Sequence, residues 1–270
     1  MMKLKWQNSI KSASQIQKLI LPKQNEIEEL FPNHFNYYNP KYELSGDFYW
    51  VQKIGDLKLI AVADCTGHGV AASLLTICCY NGLNLAVKQF GLKSPAMILD
   101  KVNDIMNDFM QEHGRNYHDM GMDIVLCSID EKNKTLTYSG ASRPLYIISD
   151  RLQISLHSNV KRYLQSSSNP LFKIKGSCYS IGSSSDNFKL EEHTIKYQKG
   201  DQIYLSSDGF SDQYGKVSNK RFQSVNMIKL LLSIQNEDMK EQHQIITQTF
   251  NLWKDDVEQT DDVTILGVRL

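Results

Sequence analysis

Residues 57–69 read Leu57-Lys58-Leu59-Ile60-Ala61-Val62-Ala63-Asp64-Cys65-Thr66-Gly67-His68-Gly69, an apolar run that ends in an aspartate and is followed by two glycines. A short run so rich in aliphatic residues predicts a buried strand. A carboxylate has no reason to end such a strand unless a partner neutralises it, because an unpaired buried charge is costly. The segment therefore predicts a buried strand that carries a functional carboxylate at its end.

Three further aspartates lie beside apolar runs: Asp47 in Ser45-Gly46-Asp47-Phe48, Asp208 in Ser206-Ser207-Asp208-Gly209 and Asp261 in Asp261-Asp262-Val263-Thr264. A lone aspartate beside glycine is usually a turn residue, and we assign Asp56, Asp150 and Asp201 to turns. Carboxylates at several strand ends can instead gather the oxygen ligands that Mg²⁺ or Mn²⁺ prefers. If they converge, the natural chemistry is phosphate-ester cleavage, in which two ions about 3.5–4 Å apart activate water.

The composition indicates one large domain, or at most two, in a chain of 270 residues. Thirty basic and thirty acidic residues cancel, so no global charge points to nucleic acid or to an anionic membrane. The five cysteines include no CxxC pair, and we interpret them as buried, reduced thiols of a cytoplasmic protein. We see neither a signal peptide nor an apolar run approaching the ~20 residues of a membrane span, so no membrane insertion is expected.

The order of the predicted elements indicates an α+β fold with antiparallel sheets covered by helices, because tight turns join consecutive strands. Helices are predicted at 8–20, 69–89, Ser94 to about Phe109, 222–234 and 238–252. Strands are predicted at 34–43, 47–54, 57–64, 121–130, 134–140, 144–149, 190–197, 201–207 and 262–270. We expect 47–54 to pair with 57–64 and 190–197 with 201–207, and we expect 159–185 to be a surface connection.

The motifs together resemble the PPM-type serine/threonine phosphatases, in particular the bacterial subfamily typified by SpoIIE and RsbU. The match runs from about residue 15 to the C-terminus and rests on the segments 45–50, 64–70, 121–124, 138–141, 207–210 and 261–264. The resemblance implies an α-β-β-α sandwich with two central antiparallel sheets flanked by helices. It also implies an N-terminal coupling helix at residues 1–22 and a phosphatase domain at residues 23–270.

The resemblance further implies two divalent cations, Mn²⁺ or Mg²⁺, and attack on phosphorus by a water or hydroxide that bridges them. Asp64 would be the bridging ligand, and the backbone carbonyl of Cys65 would be a further ligand. Asp208 and Asp261 would hold the second ion, and Asp47 would bind the first ion directly or through water. Three residues would support these ligands from positions beside them: Gly46, Gly209 and Asp262.

The sequence departs from the family pattern at three places. Thr66 replaces a histidine that protonates the leaving group in classical members, and His68 is a candidate general acid or, equally, a structural residue at a helix entry. Ala141 replaces an aspartate that binds a third metal in many members. No counterpart of the family's phosphate-binding arginine precedes Asp47.

The resemblance implies a phosphatase for phosphoserine or phosphothreonine on a STAS-domain anti-sigma antagonist in a partner-switching pathway. The helix at 8–20 would contact a second copy of the chain or a regulatory sensor partner, although its apolar stripe could equally pack on its own domain. Two alternatives stay open. The chain could be a catalytically weak or silent binding module on the same fold, or a hydrolase of small phosphorylated molecules.

Overall fold

Two antiparallel sheets stack face to face, and helices cover both outer surfaces. The computed structural model describes residues 2–112, 120–152, 159–165, 168–182 and 189–270. The helices of these ranges are α1 Met2–Ile20, α2 Gln24–Leu30, α3 Val70–Lys88, α4 Pro95–Glu112, α5 Gly209–Asp212, α6 Ser224–Ile234 and α7 Met239–Lys254. The strands are β1 His34–Asn39, β2 Asp47–Ile54, β3 Leu57–Cys65, β4 Met122–Asp130, β5 Thr135–Ala141, β6 Leu145–Ile148, β7 Val160–Tyr163, β8 Leu171–Ile174, β9 His193–Lys196, β10 Gln202–Ser206 and β11 Val263–Arg269.

The strands form two sheets with apolar residues on both faces. Sheet A has the order β1-β11-β10-β6-β8-β7, and sheet B has the order β2-β3-β4-β5-β9. Helices α3 and α4 pack on the outer face of sheet B, and helices α6 and α7 pack on the outer face of sheet A. A third apolar cluster fills the space between the sheets. The predicted α-β-β-α sandwich is therefore confirmed.

Strand β3 shows how the sequence produces these layers. Successive side chains of a strand point to opposite faces of the sheet. Ala61 and Ala63 belong to the cluster under α3 and α4, whereas Ile60 and Val62 belong to the cluster between the sheets. By this alternation Asp64 shares the face of Val62. Its carboxylate therefore lies at the end of the layer between the two sheets.

Helix α3 bears on the expectation that no apolar run in the chain approaches the length of a membrane span. Its 19 residues, with a mean hydropathy of 1.6, are long and apolar enough to cross a membrane by length and composition. The expectation that no run approaches this length is therefore wrong. Within the fold, however, 50% of the apolar window is buried, and Leu75, Cys79 and Leu83 pack in the cluster on sheet B. Burial in a domain core accounts for this composition.

The two strands on either side of Gly200-Asp201 do not form the predicted pair. Strand β9 pairs with β5 in sheet B, whereas β10 lies between β11 and β6 in sheet A. The turn therefore carries the chain from one sheet to the other. A turn signal between two strand-like runs cannot distinguish a hairpin from such a crossing, because the distinction depends on partners far away in the sequence.

The segment 159–185 is not only a surface connection, because it contains β7 and β8. Strand β8 pairs with β6, and β7 pairs with β8, so both extend the edge of sheet A. Residues 166–167 and 183–185 of the segment lie outside the described residues. The sequence-based expectation also missed the short helix α2.

Helix α1 packs against α3 of its own domain. Its contact with the rest of the fold is partly polar, since Gln17 is buried and exchanges two hydrogen bonds with the backbone of Ser45, at 2.6 and 3.0 Å. Among the α1 side chains whose burial is described, residues 5–20, the large apolar ones that remain exposed are Trp6, Ile16 and Leu19. Packing on its own domain thus leaves an apolar surface on this helix.

Candidate functional site

Three aspartates form one row across sheet B. Asp47 on β2 lies directly opposite Asp64 on β3, and Asp64 lies directly opposite Asp123 on β4. Residues directly opposite each other in an antiparallel pair point to the same face, and like charges in such positions repel. The row therefore brings three carboxyl groups together at one end of the layer between the sheets.

Sheet A contributes to the same place through Asp208, which follows β10. The link is Arg143, in the short connection between β5 and β6. Its Nη2 atom donates to one carboxylate oxygen of each of Asp64, Asp123 and Asp208, at 3.0, 2.9 and 2.7 Å. This contact shows that the ends of β3, β4 and β10 meet. We call Asp64, Asp123 and Asp208 the carboxylate cluster.

Asp47 and Asp262 are almost fully buried beside the cluster. One oxygen of Asp47 accepts hydrogen bonds from the hydroxyls of Ser207 and Thr264, at 2.6 and 2.8 Å. The two oxygens of Asp262 accept from the backbone N–H groups of Lys41 and Gly46, both at 2.7 Å. Asp262 therefore holds the connection between β1 and β2, and with it the start of Asp47's strand, against β11.

Burial shifts the protonation of these carboxylates. It raises the pKa of Asp47 to about 7, with an opposing contribution from the Ser207 hydroxyl and a further increase from the charge of Asp262. Burial and then the charge of Asp47 raise the pKa of Asp64 well above its ordinary value, although Arg143 opposes this. Burial also raises the pKa of Asp261. The site thus holds more carboxylates than Arg143 alone can neutralise.

Without divalent ions, the fold is expected to lose stability as the pH rises from about 4 to about 7. A carboxyl whose pKa is raised in the folded state keeps a proton that the unfolded chain has already released. Its stabilising contribution is complete below the unfolded pKa and is lost as the pH passes the folded value, about 7 for Asp47. Thermal unfolding in EDTA should therefore give a higher Tm at pH 5 than at pH 7.5.

Asp47→Asn separates this effect from the rest of the protein. The amide is neutral at both pH values and retains an oxygen for the hydroxyls of Ser207 and Thr264. The variant should show a smaller pH dependence of Tm and a higher Tm at pH 7.5 than the parent protein. If the pH dependence of Tm were the same in the variant as in the parent, the raised pKa of Asp47 could not be its cause.

The donor set fits a hard divalent cation, because it consists of carboxylate oxygens from both sheets. Cys65 follows Asp64 at the end of β3, and its thiol is buried in the cluster on the other face of the sheet. Among the described residues, however, no group of three or more acidic, histidine or cysteine side chains is already arranged to hold an ion. Arg143 lies at the point where the carboxylates converge.

Two predicted glycines permit close backbone contacts around the site. A Cβ atom on Gly46 would lie 2.8 Å from the carbonyl oxygens of both Cys65 and Gly67. A Cβ atom on Gly209 would lie 1.9 Å from the carbonyl oxygen of Asp262. Since these neighbours are backbone atoms, they cannot move aside cheaply. The glycines let the chain segments that carry Asp47 and Asp208 approach their partners.

Gly209→Ala is therefore expected to destabilise the protein by about 3 kcal/mol, because the added methyl group must push β11 away from the end of β10. Denaturant-induced unfolding measures the change. Gly82→Ala on α3 is the control, since its Cβ would meet only the side chain of Val102, at 3.3 Å. Equal stability of the two variants would show that the contact between Gly209 and Asp262 is not tight in solution.

The structure does not connect His68 with the carboxylates. His68 is exposed, and its ring packs edge-on against that of Tyr42, with centroids 5.4 Å apart. Its role as general acid stays a prediction. Ala141, at the position of the missing third-metal aspartate, is buried in the cluster on sheet B.

Two residues of the site, Asp123 and Arg143, were not among the predicted ligands, although Asp123 lies in the segment 121–124 on which the resemblance rests. Asp123 opens an apolar strand-like run in the same way that Asp64 ends one, so the same pattern could have identified it. Arg143 has no such signal. It lies at a break between two strands, and only the fold shows that this break faces Asp64 and Asp208.

Residues 56–270 match the model of the family described as Stage II sporulation protein E (SpoIIE). The chain is similar to the phosphoserine phosphatase RsbP of Bacillus subtilis (strain 168), with 25% identity over 180 residues. This match covers 66% of the chain but only 39% of RsbP, so the chain spans about two fifths of the length of that relative.

Solved structures show the same fold. The SiaA-PP2C domain of Pseudomonas aeruginosa superimposes with a TM-score of 0.84 and 27% identity, covering 100% of this chain and 99% of that domain. RsbX in complex with magnesium superimposes with a TM-score of 0.54 and 18% identity, covering 88% of this chain and 94% of RsbX. At that identity, the second comparison supports the fold alone.

Proposed function

Because the chain belongs to the SpoIIE family of PPM-type protein serine/threonine phosphatases, we propose that it hydrolyses phosphoserine or phosphothreonine on a protein, with two divalent cations as cofactors. Phosphatases of this type use divalent metals. One observation carries the proposal: carboxylates from the strand ends of both sheets, Asp64 and Asp208, meet at one cationic group.

The residues that would hold the cations are Asp64, Asp208, Asp261 and the carbonyl of Cys65, with Asp47 binding directly or through water. When bound, Mn²⁺ or Mg²⁺ ions would activate the water that attacks phosphorus and would neutralise charge on the phosphate oxygens. The protein holds the donors in place. Asp262 fixes the backbone of Gly46, and the hydroxyls of Ser207 and Thr264 fix the carboxylate of Asp47.

The proposed substrate is a phosphorylated STAS-domain protein of the anti-sigma antagonist type, in a cytoplasmic partner-switching pathway. The naming of the relative RsbP as a phosphoserine phosphatase supports the chemistry of the substrate. We also propose that residues 1–22 act as a coupling helix on a phosphatase domain at 23–270. The exposed Trp6, Ile16 and Leu19 suit contact with a regulatory partner or with a second copy of the chain.

Hydrolysis assays test the proposal. The full chain with Mn²⁺ should release phosphate from p-nitrophenyl phosphate and from a phosphoserine-containing STAS protein, and EDTA should abolish both reactions. Turnover of p-nitrophenyl phosphate without turnover of any phosphoprotein would favour a hydrolase of small molecules. No metal-dependent turnover at all would favour the binding module. The position of Arg143 suits this alternative, because the residue occupies the place among the carboxylates where the ions would bind.

A further inference from the structure

Arg143 is held in the site by an unusual backbone turn. The N–H group of Arg143 donates to the carbonyl of Ala141, at 2.7 Å, across Ser142. Ser142 has φ +59°, in the left-handed region that residues other than glycine seldom adopt. A tight, strained turn of this kind persists only where the surrounding structure enforces it, and such turns are concentrated at functional sites.

The surrounding structure does enforce the turn. The Tyr138 hydroxyl donates to the carbonyl of Arg143, at 2.6 Å. Two glycines pack against the same carbonyl, since a Cβ on Gly140 or Gly176 would lie 2.3 or 2.8 Å from it. These contacts fix the backbone of Arg143, so that any change of conformation at this residue would involve its side chain.

The contacts of the Arg143 side chain are not those of an optimised ion pair. A guanidinium normally binds a carboxylate with two parallel N–H groups. Here one nitrogen, Nη2, serves three carboxylates, while the buried Nε atom has no hydrogen-bond partner among the residues that the structure describes. An unpaired buried donor is unfavourable. The arrangement therefore places a guanidinium at the centre of the carboxylate cluster and leaves one of the donors of that guanidinium unpaired.

This cation lies where the proposed metal ligands converge. The carboxylate oxygens of Asp64 and Asp208 that contact Nη2 are aimed at one point. A divalent cation bound by the same two carboxylates would be repelled by a guanidinium within a few ångströms, because both are positive and the side chains of Arg143 and Asp64 are only 13% and 19% exposed.

We propose that Arg143 is an intramolecular cation that competes with divalent cations for the carboxylate cluster, and that its side chain leaves the cluster when the ions bind. The inference rests on the proposed function, since it assumes that Asp64 and Asp208 are metal ligands. If Arg143 competes in this way, the affinity of the site for metal depends on the turn at Ser142, because that turn positions Arg143. Arg143 in this role also explains how carboxylates in register on neighbouring strands remain together without bound ions.

The test is Mn²⁺ binding by isothermal titration calorimetry to the full chain, which does not depend on activity. Arg143→Gln should bind Mn²⁺ about tenfold more tightly than the parent, equivalent to ~1.4 kcal/mol. Its Tm in EDTA should be lower than that of the parent, because the carboxylates lose their counter-ion. Arg143→Lys keeps the charge but not the planar group, and it should bind with intermediate affinity.

Arg221→Gln is the matched control. Arg221 is an exposed arginine that contacts Asp212 and lies close enough to Asp208 to feel its charge, but it makes no contact with the carboxylate cluster. Equal tightening in Arg221→Gln and Arg143→Gln would overturn the proposal, because it would show a general effect of net charge.

Unchanged or weaker Mn²⁺ binding by Arg143→Gln, with clear binding by the parent, would also overturn the inference and would leave the proposed metal centre intact. Such a result would make Arg143 a residue that positions the ligands. If Arg143→Gln does not fold, the same comparison is made with Arg143→Lys: tighter Mn²⁺ binding than in the parent supports the inference, and unchanged or weaker binding overturns it. No Mn²⁺ binding by any variant would overturn both the inference and the proposed function.

Discussion

Asp64→Asn is expected to lower the rate of metal-dependent phosphate release by about three orders of magnitude or more. Asp64 is the proposed ligand shared by both cations, and it lies between Asp47 and Asp123 in the row across sheet B. An amide carries no charge and coordinates a hard cation through one oxygen only, so the variant should lose both affinity for the ions and turnover. Assays with p-nitrophenyl phosphate and Mn²⁺ measure the effect.

Asp56→Asn is the control for this variant. Asp56 lies in the exposed turn between β2 and β3, so the same change of residue type at the other end of the hairpin should leave the rate unchanged. Asp64→Asn should remain folded, because burial already raises the pKa of Asp64 and the amide removes an unfavourable charge. A folded Asp64→Asn that retained more than about a tenth of the parental rate would refute its role as shared ligand.

The neighbours Asp261 and Asp262 are expected to respond oppositely to the same substitution. Asp262→Asn should lower the free energy of unfolding by about 3 kcal/mol, even in EDTA, because one of its two backbone N–H partners would face an amide NH₂ instead of an oxygen. Those partners are Lys41 and Gly46. Urea denaturation of the metal-free protein measures this loss.

Asp261→Asn should keep the stability of the metal-free protein within about 1 kcal/mol, because its oxygen can still accept from the N–H group of residue 262, as it does now at 2.8 Å. Turnover should nevertheless fall by at least about a hundredfold if Asp261 binds a cation. Loss of stability in Asp261→Asn and full activity in Asp262→Asn would reverse the two assignments.

Much of this site follows from local patterns in the sequence. Apolar runs that end at Asp64 and Asp208 indicated buried strands, and the cost of burying a lone carboxylate indicated a partner. The fold places both residues at the end of the layer between the sheets and joins them through one guanidinium. The predicted hairpin of 47–54 and 57–64, with its turn at Gly55-Asp56, is also observed, and its register brings Asp47 directly opposite Asp64.

The parts that the sequence did not reveal all depend on contacts between distant segments. Nothing local says that β9 and β10 belong to different sheets, since a single turn separates them. Nothing local distinguishes Arg143 from a surface arginine either. Its contact with Asp208 joins residues 65 positions apart, and its turn depends on packing against Gly176.

The position of Arg143 also bears on the choice between an active phosphatase and a silent binding module. A guanidinium among the carboxylates would keep activity low until ions displace it, so activity would require a higher metal concentration than without Arg143. A binding module would instead retain Arg143 in the cluster at any Mn²⁺ concentration. The two alternatives therefore differ in what the carboxylates hold when Mn²⁺ is abundant.

Diffraction from crystals of the full chain grown with Mn²⁺ decides this most directly, because anomalous scattering locates the ions without reference to activity. We expect two anomalous peaks between the ends of β3 and β10, within coordination distance of oxygens from Asp64 and Asp208, and the Arg143 side chain turned away from them. A crystal saturated with Mn²⁺ that shows no peak there, with Arg143 still bound to all three carboxylates, would contradict a metal centre at this site.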